Sequence, residues 1–185
     1  MEITGFFLEL KPYSIALHAI SAIVGMGAAL ASDVLFSFYG RDRSLDTQER
    51  KTLERLSRII WIALAVIIVS GVALFISNPA GYSESAKFLS KMTIVGVLTV
   101  NGFVLARWIQ PHMAQGGFLT SKKERQARTL AFACGAISLV SWCSAFSLGL
   151  LSGLTLSYIT IISVYAGITT GAIVIALGIE RLKFE

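Results

Sequence analysis

The chain has 185 residues, 55% of them hydrophobic and only 15% charged, with a formal net charge of +5. A mean hydropathy of +0.71 excludes an ordinary soluble domain, whose charge would be denser and spread along the sequence. Here the charges cluster between long apolar stretches, so the basic balance reads as a topology signal and no nucleic-acid partner is expected.

A helix needs roughly 20 mostly apolar residues to cross a ~30 Å hydrocarbon core. Five segments meet that need: 13–39, 57–77, 85–110, 127–152 and 156–179. The period-2 alternation of a β-barrel is missing. The expected fold is therefore all-α, an integral membrane bundle of five transmembrane helices forming one domain over residues 1–185.

Residues 1–12 precede the first span and lack a basic n-region, so no cleavable signal peptide is expected. Pro12 suits a helix start. The first span carries His18 and Asp33 among small residues such as Ser21, Ala22, Gly25 and Ala29. In the following loop, Asp46 with Glu49 three residues later forms a capping-box pattern. The second helix is thus expected to begin near Thr47 and project beyond its span. Asn78-Pro79-Ala80-Gly81 breaks it.

The third span carries Lys91, Asn101 and Arg107, and Pro111 is expected to end it, with a flexible loop around Gly116 and Gly117. In the fourth, Cys134 and Cys143 are nine residues apart and fall on opposite faces, so they cannot pair. Asn101, Ser138, Ser141, Ser144 and Ser147 read as interhelical hydrogen-bonding groups, and the Gly167/Gly171 spacing of the fifth span as packing within the bundle. Gly153 marks a tight turn between spans four and five. Trp61, Trp108 and Trp142 read as lipid-facing or interfacial anchors.

The first connection holds Arg41, Arg43, Arg50, Lys51 and Arg55; the third holds Lys122, Lys123 and Arg125; Arg181 and Lys183 lie in the tail. The other side has Lys11, Lys87 and Lys91. Positive charge stays on the cytoplasmic side. The N-terminus is therefore expected outside and the C-terminus inside, in a multi-pass protein of the cytoplasmic (inner) membrane. Its partners would be the lipid bilayer and either a second copy or another membrane protein.

Ionisable groups inside spans are costly and mark functional sites by default. His18 and Lys91 each sit roughly 8–9 Å below the outer helix ends, counting 1.5 Å per residue. They share a level. A neutral imidazole can ligate a haem iron or another metal; the plainer alternatives are a hydrogen-bonded bundle histidine and a lysine snorkelling to the interface. Asp33 and Arg107 share the inner level, where a buried charge pair would offset the cost of either alone, with Arg58 as a competing partner. His112 reads as a solvated loop residue.

Leu17-His18-Ala19-Ile20 with Gly25 and Gly27, and Lys91-Met92-Thr93-Ile94-Val95, resemble segments of a superfamily of bacterial membrane proteins. It includes the copper-resistance D-type domain and the membrane-embedded protoporphyrinogen oxidase family. The resemblance covers the first three spans. It implies a haem b site at His18 and Lys91, and with it a haem-dependent oxidoreductase. Two other readings stay open: a non-catalytic membrane subunit that docks a partner, and a small-solute or ion transporter using Asp33, Asn101 and Arg107.

Overall fold

A computed structural model describes residues 2–39, 46–113, 122–151, 153 and 155–184. The features expected at Arg41, Arg43, Gly116 and Gly117 lie outside the described residues. Helix α1 (Glu2–Glu9) runs almost directly into α2 (Lys11–Tyr39), because Ser14 N–H still bonds back to the Leu10 carbonyl. Helix α3 (Thr47–Ser77) starts at the expected capping box. The Asp46 side chain accepts from the backbone at Glu49, and the Glu49 carboxylate accepts from Asp46 N–H. This anchor lets α3 extend about ten residues ahead of its spanning part, at 1.5 Å per residue.

Asn78 closes α3 and caps the short helix α4 (Pro79–Ser83), its side chain accepting from Gly81 N–H. Ser85 caps α5 (Ala86–Val104). A π-helical turn, Leu105–Ile109, follows, and then α6 (Gln110–Met113). The expectation that Pro111 ends this helix is thus corrected. A proline in an α-helix lacks one N–H and collides with the carbonyl four residues back. The wider turn immediately before it loosens that carbonyl register, so the chain passes through Pro111 still helical.

Helices α7 (Lys122–Leu150) and α8 (Tyr158–Phe184) complete the chain. Gly153 in their connection has φ +76°, a left-handed conformation that glycine adopts without penalty. Five helices are long and apolar enough to cross a membrane. Large side chains such as Val100, Ile159 and Val174 point outward from them. Such an apolar exterior belongs in lipid, where helices satisfy their own backbone polar groups. The chain is an all-α, multi-pass membrane bundle.

One end of the bundle, with Lys11, Ser77, Ala86 and Leu150, is called upper here; Tyr39, Thr47, Met113 and Lys122 mark the lower end. Helix α2 packs closely along α3, and α7 is the hub, touching α2, α5 and α8. The central cluster joins Ala29, Leu64, Ile67, Leu98 and Trp142. Trp142 is only 3% exposed, against the expectation of a lipid-facing anchor. Gly25 is the reason, since its missing Cβ leaves the space the indole fills. Trp108, at 69% exposed, does face outward.

Polar bonds tie the helices as the sequence suggests at two positions. Asn101 Nδ2 donates to the Cys134 carbonyl at 2.9 Å. Ser141 Oγ donates to Ile137 O and therefore accepts from Tyr165 OH, at 2.8 Å. Cys134 is buried and Cys143 exposed, both free. The glycines of α8 depart from expectation. A Cβ at Gly167 or Gly171 would meet nothing within 4 Å. Helix α8 packs through Ile161, Tyr165 and Ala172 instead, so its glycine pair lies outside the intramolecular interface.

Candidate functional site

Helices α3 and α5 are consecutive long elements, yet their backbones do not pack closely. Side chains bridge them: Phe75 stacks on Phe88 with ring centroids 5.6 Å apart, and Trp61 lies against Gly102. Two cavities occupy the seam, one above the other.

The upper cavity has a volume of about 500 Å³ and is lined by both His18 and Lys91. The shared level expected for them thus becomes a shared wall. Most of the remaining lining is apolar, including Ile67, Phe75, Phe88 and Val95, with Lys87 and Tyr82 near the top. Ile68, Val72 and Met92 both line the cavity and are exposed on the lipid-facing surface. The cavity therefore opens sideways toward the membrane.

The state of His18 follows from its neighbour. His18 Nδ1 is 2.9 Å from Ser70 Oγ. Ser70 spends its single hydroxyl proton on the carbonyls of Val66 and Ile67, at 2.6 and 3.2 Å. With that proton on a carbonyl its oxygen accepts from His18, the arrangement in which the neutral imidazole carries its proton on Nδ1 and keeps a lone pair on Nε2. Holding one ring nitrogen in this way is how proteins orient an imidazole whose other nitrogen takes a ligand. Gly71 lies beside the ring, where a Cβ would stand 3.6 Å from Cε1, in ordinary van der Waals contact. Lys91 has no hydrogen bond or ion pair among the described residues, and a Cβ at Gly149 would lie 3.5 Å from its Nζ. Lys87 Nζ donates to the Leu151 carbonyl, which pins the α7–α8 connection to the cavity rim.

A bare metal ion is poorly served here. Among the described residues no three His, Cys, Asp or Glu side chains come together as a metal group. A haem is a different case, because it brings its own four nitrogens and asks the protein for one axial imidazole. The residues present fit that demand: Nε2 of His18, cations at Lys87 and Lys91 for two propionates, and apolar walls for the macrocycle.

The lower cavity, of about 180 Å³, is lined by Asp33 together with Arg50, Glu54, Ser57, Trp61 and Gln110. The structure does not bring Asp33 and Arg107 together. Among the described residues Asp33 forms no ion pair, while Arg107 is exposed within the π turn and Arg58 is exposed on α3. The expectation of a pair rested on a shared depth, which does not fix the direction a residue faces about its helix axis. Arg107 sits inside the π turn Leu105–Ile109 and faces outward. His112 lies in α6, below that turn.

Sequence reasoning missed a buried ion pair between α7 and α8. Arg128 on α7 meets Glu180 on α8, with Nε and the second guanidinium nitrogen both 2.6 Å from Oε1. Both residues are about 95% buried, being 4% and 5% exposed. The fifth span was expected to stop at residue 179; α8 continues to Phe184 and places Glu180 inside. The signal available was the lone acid following Ile179 opposite a basic α7 start.

No protein-family model, curated protein or solved structure matches the chain.

Proposed function

We propose that the chain binds a membrane-soluble, amphipathic anion in its upper cavity, and that haem b held by His18 is that ligand. The observation that carries the reading is the convergence of His18 and Lys91, from different helices, on one cavity. Its volume falls within the range of roughly 300–1,000 Å³ usual for small-molecule sites. Ser70 fixes the tautomer that frees Nε2, and the sideways opening suits a ligand that arrives through lipid. Lysine cations and apolar walls together favour an acid with a large carbon body.

Bound haem would supply an iron that carries single electrons. The protein's part is to orient His18 through Ser70, to neutralise acidic groups with Lys91 and Lys87, and to keep water out with Phe75 and Phe88. On this reading the chain is a redox protein of the cytoplasmic membrane, with its upper end outside, as the charge asymmetry supports.

The test is the absorption spectrum of the full chain purified with haem supplied, oxidised and reduced. A Soret band is expected in the wild type, lost or strongly altered in His18→Ala and shifted or weakened in Lys91→Ala. A colourless wild type, or an unchanged His18→Ala spectrum, would remove the haem assignment.

A further inference from the structure

The lower cavity lies outside the proposed function, and it holds a second intramembrane titratable group. Three charged side chains reach its wall: Asp33 from α2, and Arg50 and Glu54 from α3. Arg50 and Glu54 pair with each other at 3.8 Å. Asp33 is left without an ion-pair partner among the described residues. A charge at this depth is expensive unless a counter-charge meets it.

The rest of the wall says which counter-charge fits. It is mostly carbon, with Phe36 and Trp61 presenting aromatic rings and Leu64 and Leu98 closing the top. Ser32, Ser57, Ser138 and Gln110 add neutral oxygens, but no three His, Cys, Asp or Glu among the described residues come together as the cage a hard metal ion seeks. A cation on a small apolar body gains from both the carboxylate and the ring faces. The volume of about 180 Å³ is little more than a third of the 500 Å³ above, which suits a compact amine and not a macrocycle.

Two further features show a built cavity rather than a packing fault. Gly135 on α7 faces the carboxylate, and a Cβ there would stand 3.1 Å from Asp33 Oδ1. The π turn Leu105–Ile109 supplies Leu105 and Ile109 to the wall; wide turns of this kind recur at functional sites. We infer that the lower cavity is a binding site for a compact organic ammonium ion, held by the Asp33 carboxylate against Trp61 and Phe36. Entry is from the lower end, where Arg50 and Glu54 are 44% and 56% exposed. Leu64, Leu98 and buried Trp142 separate this site from the upper cavity, so it does not rest on the haem reading.

The test uses the full chain in detergent micelles, titrated with benzylammonium and followed by calorimetry and tryptophan fluorescence. Saturable binding is expected in the wild type, at least tenfold weaker in Asp33→Asn. Benzyl alcohol, the neutral isostere, should bind at least tenfold more weakly than the amine. Gly135→Ala should weaken amine binding by crowding the carboxylate, and it decides the matter if Asp33→Asn does not fold. His18→Ala should leave the amine affinity unchanged while altering any haem spectrum. Equal binding by Asp33→Asn, equal binding of the alcohol, or unchanged affinity in Gly135→Ala would overturn the site. So would displacement by an equal concentration of Na+, which would make it a metal-cation site, or loss of binding in His18→Ala, which would place the amine above.

Discussion

Gly25 of α2 lies against the Trp142 indole so closely that a Cβ on residue 25 would stand 2.9 Å or less from three ring carbons. An indole wedged in the central cluster is rigid and cannot yield like the end of a flexible chain. Gly25→Ala is therefore expected to destabilise the bundle by about 1–3 kcal/mol, the usual cost of overpacking a core. Gly167→Ala, on the open face of α8, should instead be neutral or gain up to about 1 kcal/mol from helix propensity. Thermal unfolding in detergent compares the two. Trp142→Phe combined with Gly25→Ala should recover part of the loss, since the pair shares one space. Equal effects at Gly25 and Gly167 would mean the Trp142 contact carries no energy.

The Arg128–Glu180 pair ties α7 to α8 near the lower end. Removing one partner of a buried pair strands the other, at a cost of about 3–5 kcal/mol. Glu180→Gln should thus lower thermal stability strongly, while Arg128→Met with Glu180→Leu should restore most of it, because matched apolar groups strand no charge. Thr129, whose hydroxyl lies 3.4 Å from Glu180 Oε1, should matter far less; Thr129→Val is expected to cost under about 1 kcal/mol, in line with hydrogen bonds in membrane helices. A double variant as unstable as Glu180→Gln would show that the pair is not a unit.

Asp33 behaves oppositely. With no ion-pair partner among the described residues, its ionised form burdens the apo bundle, so Asp33→Asn is expected to leave stability unchanged or raise it. Combination with Arg107→Gln should be additive, because the two residues do not face one another. Unfolding midpoints in amine-free detergent are the measurement. A marked loss in Asp33→Asn that Arg107→Gln repairs would restore the charge pair that their common level suggests.

The contrast between these two charges shows what the sequence can reveal. Spans, the Asp46–Glu49 cap and the common level of His18 and Lys91 are local or one-dimensional properties, readable from composition and a rise of about 1.5 Å per residue. The upper cavity's lining follows from that level. Rotation about a helix axis is less legible: depth alone set Arg107 beside Asp33, yet Arg107 faces outward. Burial of Trp142 depends on a glycine of another helix, and pairing of Arg128 depends on a helix end a few residues longer than apolarity alone marks. Nothing in one sequence encodes such cross-helix matches until the helices are docked.

Orientation in the membrane is open to direct measurement. Basic residues crowd the lower end, with Arg50, Lys51, Arg55 and Arg58 on α3 alone, whereas Lys11 and Lys87 stand at the upper end. Retention of positive charge in the cytoplasm predicts that the lower end lies inside. In a background with Cys134 and Cys143 replaced, a cysteine at Ser83, on exposed α4, should react with an impermeant thiol reagent in intact cells. Cysteines at Ser44 and Ser121, in the two basic connections outside the described residues, should react only after the cells are opened. The reverse pattern would invert the topology.

Ser70 offers the most selective probe of the upper site, since it would reach the proposed haem only through His18. Its hydroxyl proton is committed to the Val66 and Ile67 carbonyls, so its oxygen accepts from Nδ1–H and leaves Nε2 basic. Ser70→Ala removes that acceptor without opening a sizeable hole. The imidazole then loses both its anchored tautomer and its fixed ring plane. Partners of this kind are worth about 10–100-fold in metal affinity, so haem titration followed at the Soret band should show a loss of that order in Ser70→Ala. Ser70→Thr, which keeps the hydroxyl, should retain most of the affinity. Because helix-internal Ser→Ala changes are mild, thermal stability should fall by less than about 1 kcal/mol in the apo protein. A Ser70→Ala sample with wild-type haem affinity would show that His18 is oriented by something other than this bond, and a Ser70→Thr sample as weak as Ser70→Ala would point to packing instead of the acceptor oxygen.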